Sequence, residues 1–98
     1  MVEISYRCIY FPDGKTYGKD TGKPLKTEKG ALKRAYQTMK TKKKGFVMVR
    51  QEAKYSDGSE ISSPLATIRY RSNGITCEIH DHRRFGTYLL LSDGRLVR

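Results

Sequence analysis

Apolar and polar side chains alternate from Ile4 to Phe11, with Ile4, Tyr6, Cys8 and Tyr10 on one side and Ser5, Arg7, Ile9 and Phe11 on the other. That period of two predicts a strand with a mainly apolar first face. Pro12-Asp13-Gly14 has the chemistry of a tight turn and predicts a hairpin running on through Thr16 and Tyr17. Gly18 to Lys26 shows no period and reads as a surface loop carrying Lys19, Lys23 and Lys26. The period then lengthens to 3.6. Ala31, Leu32, Ala35, Tyr36 and Met39 fall on one face and Lys29, Lys33, Gln37 and Lys40 on the other, which predicts a helix over residues 27–45. Thr27 is its expected N-cap, Glu28 meets the positive helix end, and the Lys40-Thr41-Lys42-Lys43-Lys44 run sits at the negative end. Gly45 is the expected left-handed cap.

Beyond Gly45 the period returns to two. Phe46-Val47-Met48-Val49 opens a strand extending to Tyr55, apolar on both faces at its start and therefore expected in the middle of a sheet; Ser56-Asp57-Gly58 turns it. Glu60 to Ser63 is a weaker segment, and Pro64, which has no N–H for a ladder, predicts an edge strand or a break before Leu65. A two-residue Asn73-Gly74 turn would set Ser72 against Ile75, Tyr70 against Cys77 and Ile68 against Ile79. All the apolar residues then share one face, with Arg69 paired to Glu78 and Arg71 set against Thr76 on the other. His80 to Gly86 is a polar connection and Thr87 to Leu91 a further strand. Ser92-Asp93-Gly94 turns into Arg95 to Arg98, placing Leu91 opposite Leu96 and Leu90 opposite Val97. The expected fold is a single α+β domain over 1–98, one helix packed on an antiparallel sheet of about five strands.

Charge adds the first indication of function. The 98 residues hold 20 Lys+Arg against 10 Asp+Glu, a formal net charge of +10, which predicts attraction to polyanions. Nucleic acid and an acidic protein surface both meet that description. No apolar run is long enough to span a bilayer and no signal-peptide core is visible. With two cysteines, Cys8 and Cys77, the expectation is a soluble protein of the cytoplasm with reduced thiols and no membrane partner.

Candidate chemistry is sparse. Cys77, His80, Asp81 and His82 have metal-ligand character, but on the predicted register Cys77 points inward while His80 points to the other face, so one ion would not reach both. The same His-Asp-His segment is the candidate centre for an alternative reading as a small metal-dependent nuclease. No phosphate-cradling glycine loop opens the helix, no serine or cysteine stands in a nucleophile motif, and no cofactor is expected. What remains is basic residues interleaved with aromatics. The binding candidates are Lys29, Lys33, Lys40, Lys42, Lys43 and Lys44 on the helix and its tail, and Arg69, Arg71, Arg83 and Arg84 on the later strands and turns. Arginine offers planar, two-pronged recognition of phosphate or base edges, whereas the lysines act as flexible point charges. Tyr10, Tyr17, Tyr55, Phe85 and Tyr88 are candidates for stacking on bases.

Two resemblances sharpen this. Tyr10-Phe11-Pro12-Asp13-Gly14-Lys15 followed by Lys26-Thr27-Glu28-Lys29-Gly30-Ala31 and the helix, within residues 6–39, resembles the arm-binding N-terminal domain of phage-type integrases. That resemblance implies a sheet that enters the DNA major groove. Thr27, Ala31, Lys33, Arg34 and Ala35, then Gly45-Phe46-Val47-Met48-Val49 and a meander, are similar in layout to small basic phage anti-CRISPR proteins of the type I-F group. That one implies binding to a CRISPR surveillance complex through lysines and arginines near its nucleic-acid channel. The functional expectation is a non-enzymatic phage or mobile-element accessory protein that binds nucleic acid or a nucleic-acid-bound effector, with an anti-CRISPR inhibitor as its sharpest form. A sequence-specific, integrase-arm-like DNA binder is the alternative within the binding class.

Overall fold

The computed structural model describes residues 2–13 and 16–98. The elements are β1 (Val2–Phe11), β2 (Lys19–Asp20), α1 (Glu28–Lys42), β3 (Phe46–Tyr55), β4 (Glu60–Arg71), β5 (Gly74–Ile79), β6 (Gly86–Leu90) and β7 (Leu96–Val97). All seven strands join one antiparallel sheet in the order β2-β1-β3-β4-β5-β6-β7, with α1 packed on one side. The α+β class and, among the described residues, the single helix are as expected. The sheet is wider than the expected five strands because β2 and β7 are two-residue strands, too short to show a period of their own. The tip of the expected Pro12-Asp13-Gly14 hairpin falls on Gly14 and Lys15, outside the described residues; β1 pairs with β2 beyond it, Ile9 with Asp20 and Tyr10 with Lys19.

The helix forms where its period appears. Thr27 is extended (φ −127°, ψ 148°) and its hydroxyl oxygen accepts from the Gly30 N–H at 3.1 Å, satisfying one of the free donors of the first turn. Its end lies earlier than expected: Lys43, not Gly45, takes the left-handed cap at φ 61°, and its N–H donates to the Met39 carbonyl at 2.8 Å. Gly45 (φ 76°) has a different task, letting the chain turn into β3 against β1. A Cβ there would stand 2.2 Å from the Phe11 carbonyl oxygen. Ala31, Leu32, Ala35 and Met39 are buried against Cys8, Val47, Val49, Ala66, Ile68, Ile75, Cys77, Ile79 and Leu90, a continuous core on one side of the sheet.

β3 occupies the expected residues and a central position between β1 and β4. Of the two expectations at Pro64, the edge strand is found and the break is not: β4 runs unbroken through it. Within β4, β5 pairs with Ala66–Arg71 alone, so among the described residues the stretch from Glu60 to Pro64 has β3 on one side and no ladder partner on the other, and the missing N–H costs nothing there. Leu65 is the extra residue of a bulge, since Val49 faces Ala66 and Arg50 faces Pro64. The β4–β5 register is Tyr70 with Ile75, Ile68 with Cys77, Arg69 with Thr76, Thr67 with Glu78 and Arg71 with Gly74, because Ser72 and Asn73 make the turn and Gly74 (φ 137°) opens β5. This is two residues from the expected pairing. An even shift leaves every face assignment intact but dissolves the expected Arg69–Glu78 pair. At β6–β7 the slip is a single residue, with Leu90 facing Leu96 and Leu89 facing Val97.

Candidate nucleic-acid interface

The pairings lay a single row of side chains across the uncovered side of the sheet: Phe11, Phe46, Arg69, Thr76, Leu89 and Val97. Adjacent strands stand about 4.8 Å apart, which is the separation at which neighbouring flat groups stack. Phe11 and Phe46 do so, with centroids 4.9 Å apart and planes inclined by 13°. The Arg69 guanidinium lies on the row beside them, 4.7 Å from the Phe46 centroid. Gly18 closes the far side of Phe11, where a Cβ would come within 3.0 Å of the ring.

The next rows on this side are Ile9, Met48, Thr67, Glu78 and Thr87, and then Arg7, Arg50 and Pro64. Arg7 and Arg50 are cross-strand partners, a repulsive placement for like charges. Arg7 is offset by Glu52 at 3.5 Å and Asp20 at 3.7 Å; its Nε is buried and hydrogen-bonds to neither. Arg50 is held instead by neutral groups: Nε donates to the Ser62 hydroxyl at 2.8 Å, and a terminal nitrogen lies 3.6 Å from the Met48 sulfur.

The ten predicted cations separate into groups. Lys42, Lys43 and Lys44 lead directly into Phe46, whose partner is Arg69, so the lysine tail, Arg69 and Arg71 meet at one end of the sheet. Lys42 lies 5.5 Å from the Tyr10 ring and Lys40 lies 5.9 Å from that of Tyr36. Among the described residues none of Lys40, Lys42, Lys43, Lys44, Arg69 and Arg71 has a carboxylate within 4.0 Å. Asp13 shares this end, its backbone approaching Gly45, and is likewise unpaired among the described residues. Lys29 and Lys33 are exposed on the helix, away from that end, with the backbone of Lys29 against the Gly94 turn. Arg83 is exposed on the 80–85 connection. Arg84 serves the fold: its guanidinium donates to both oxygens of Glu28 at 2.9 and 2.7 Å, tying that connection to the helix start. The Glu28 hydrogen bonds push the Arg84 pKa further up, so its charge is permanent.

The opposite end of the sheet is acidic. It carries Glu3, Glu52, Asp57 and Glu60 against Lys54. The molecule is therefore polarised along its strands, cations at the helix C-terminus and carboxylates at the β3–β4 turn.

The aromatics expected to stack on bases divide as well. Tyr10 is buried, its hydroxyl donating to the Lys44 carbonyl at 2.9 Å, and Tyr88 donates to the Arg84 carbonyl at 2.7 Å. Tyr17, Tyr55 and Phe85 are exposed. Of the candidates, Tyr88 lies beside a guanidinium, that of Arg98 at 4.8 Å; the stacked pair Phe11 and Phe46, with Arg69 against Phe46, is not among them. Its signal is the position of both rings on the polar side of their strands' alternation. That signal becomes decisive only once strand pairing is known.

The Cys77-His80-Asp81-His82 cluster does not converge. Cys77 is buried under the helix and His82 is exposed, while His80 Nε2 is 2.9 Å from the Thr67 hydroxyl and the Asp81 carboxylate accepts from the Arg83 N–H at 3.0 Å. Among the described residues no three His, Cys, Asp or Glu side chains stand together as a metal site. Burial pushes the thiol pKa of Cys8 up to about 11 and that of Cys77 up to about 12, so both are held as neutral core groups. Among the described residues no helix is long and apolar enough to cross a membrane. No protein family, curated protein or solved structure matches this chain.

Proposed function

We propose that the protein acts by binding and not by catalysis, as a basic accessory factor of a phage or other mobile element, and that its partner is nucleic acid or an effector complex that carries it. The observation that carries this reading is the meeting of Lys42, Lys43, Lys44, Arg69 and Arg71 at one end of the sheet, with no carboxylate within 4.0 Å of any of them among the described residues. Cations left without internal partners keep their attraction for an external polyanion. The acidic far end supports the same reading, because a polarised molecule approaches a phosphate backbone with one end first. The lysines provide attraction that does not depend on sequence; the arginines, fixed on a sheet, provide directed contacts.

Inhibition of a CRISPR surveillance complex and integrase-arm-like DNA binding are two sharper forms of this proposal, and both use the same cationic end. Affinity capture from a host lysate with and without nuclease treatment separates them. Binding to free nucleic acid is lost on nuclease treatment, whereas an effector complex stays captured and loses contact when Lys42, Lys43 and Lys44 are neutralised. Capture that is indifferent to both nuclease and lysine neutralisation contradicts the proposal.

A further inference from the structure

The uncovered side of the sheet invites a more specific reading, which rests on the proposed binding of nucleic acid. Its centre is apolar and aromatic, yet it is bordered by arginines without carboxylate partners among the described residues. Phe46 backs one side of the Arg69 guanidinium at 4.7 Å. On the other side, the next member of the row is Thr76, too short to cover a guanidinium plane. Arg50 lies one strand over and two rows down, braced by Ser62 and the Met48 sulfur. Both guanidinium groups are thus held in place before any ligand arrives, which lowers the ordering cost of binding.

We propose that this face is a site for single-stranded nucleic acid, with an unpaired base stacking on the side of the Arg69 guanidinium away from Phe46, above Thr76, and the backbone passing Arg50 and Arg71. Flat, partly apolar bases match the Phe46, Met48 and Leu89 surface, and phosphates match the arginines. A duplex hides its base faces inside its own stack, so against this surface it offers phosphates alone and leaves the aromatic row without a counterpart. The track is closed on both flanks: Glu78 on β5 repels a phosphate on one side, and on the other the cation of Arg7 is already engaged by Glu52 and Asp20.

The test is fluorescence anisotropy with labelled 12-nucleotide single strands, DNA and RNA in separate arms, and with a blunt duplex of the same length. The intact protein should bind the single strand about tenfold more tightly than the duplex, within the range that one stacked base supplies. Arg69→Lys keeps the charge but removes the plane, and Phe46→Leu keeps an apolar side chain but removes the ring. Each should cost about tenfold on single strands, with the salt slope unchanged, and less than about twofold on the duplex. If Phe46→Leu does not fold, Arg69→Lys alone carries the comparison, since its guanidinium packs on the Phe46 ring and makes no ion pair among the described residues. Equal affinity for both forms, or equal loss on both with Arg69→Lys, would overturn the single-strand site and leave nucleic-acid binding standing. No binding to either form at low salt would overturn both.

Discussion

Arg84 grips Glu28 across 56 positions of sequence, its two terminal nitrogens donating to the two oxygens of one carboxylate at 2.9 and 2.7 Å. The pair ties the connection between β5 and β6 to the first turn of the helix, where a carboxylate also faces the positive end of the helix dipole.

The first prediction follows from that clasp. Arg84 is 41% exposed and Glu28 28%, so solvent screens the pair and the expected cost of Arg84→Ala is about 1 kcal/mol. That corresponds to a fall in Tm of roughly 4–8 °C for a domain of this size. The same variant should leave the salt dependence of nucleic-acid binding unchanged, because this cation is already satisfied internally. A variant of full stability with weakened binding would return Arg84 to the binding surface.

Leu32 is 2% exposed at the centre of the helix–sheet core. Leu32→Ala should cost about 2–5 kcal/mol, a large share of the stability of a small domain, read as the shift in denaturation midpoint. An unchanged midpoint would place the helix outside the cooperative core.

Gly45 and Gly58 both take positive φ, 76° and 88°, yet their surroundings differ. A Cβ at Gly45 would stand 2.2 Å from the Phe11 carbonyl oxygen, whereas one at Gly58 meets nothing within 4 Å among the described residues. Gly58→Ala should therefore cost only the left-handed strain, about 1 kcal/mol. Gly45→Ala should cost clearly more, since β1 and β3 must separate to admit it. Equal thermal shifts would contradict the packing at this corner.

The thiols set a limit at high pH. Cys8 and Cys77 titrate near 9 when unfolded, and burial raises them to about 11 and about 12 in the fold. Between those values the unfolded chain has lost protons that the native state still holds, so stability is complete below pH 9 and falls as pH rises towards 11 and 12. The slope is about 1.4 kcal/mol per pH unit for each thiol. Cys8→Ala should flatten part of that decline in melts between pH 9 and 11. Native protein should also react with a thiol reagent at pH 8 only as fast as it unfolds.

Much of this arrangement is visible in the chain before any coordinates. Thr27, the Leu32–Ala35–Met39 stripe and the Phe46-to-Tyr55 strand announce themselves because each is a local pattern several residues long. Pro64 signals an edge for a physical reason: its missing N–H is tolerated where no strand lies beside it, and β5 stops short of it. The Tyr70–Ile75 register was displaced by two because Asn73-Gly74 suits a turn, yet the fold places the turn at Ser72-Asn73 and uses Gly74 to start the strand. The faces survived since two is the strand's own period. The Phe11–Phe46–Arg69 row and the Glu28–Arg84 clasp were not legible, because each is a product of pairing between distant segments. Of the candidate cations, a sequence shows only that Arg84 is basic and not that its charge is already spent.

The proposed contact of the lysine tail with a phosphate backbone is read out by affinity for a single-stranded oligonucleotide as a function of salt. The logarithm of the association constant should fall linearly with the logarithm of salt concentration, with a slope of roughly 0.7 for each phosphate neutralised. Replacing Lys42, Lys43 and Lys44 together by Ala should weaken binding at low salt and reduce that slope by about 2. A slope that stays the same after the triple replacement, or an affinity indifferent to salt in the intact protein, would contradict the account.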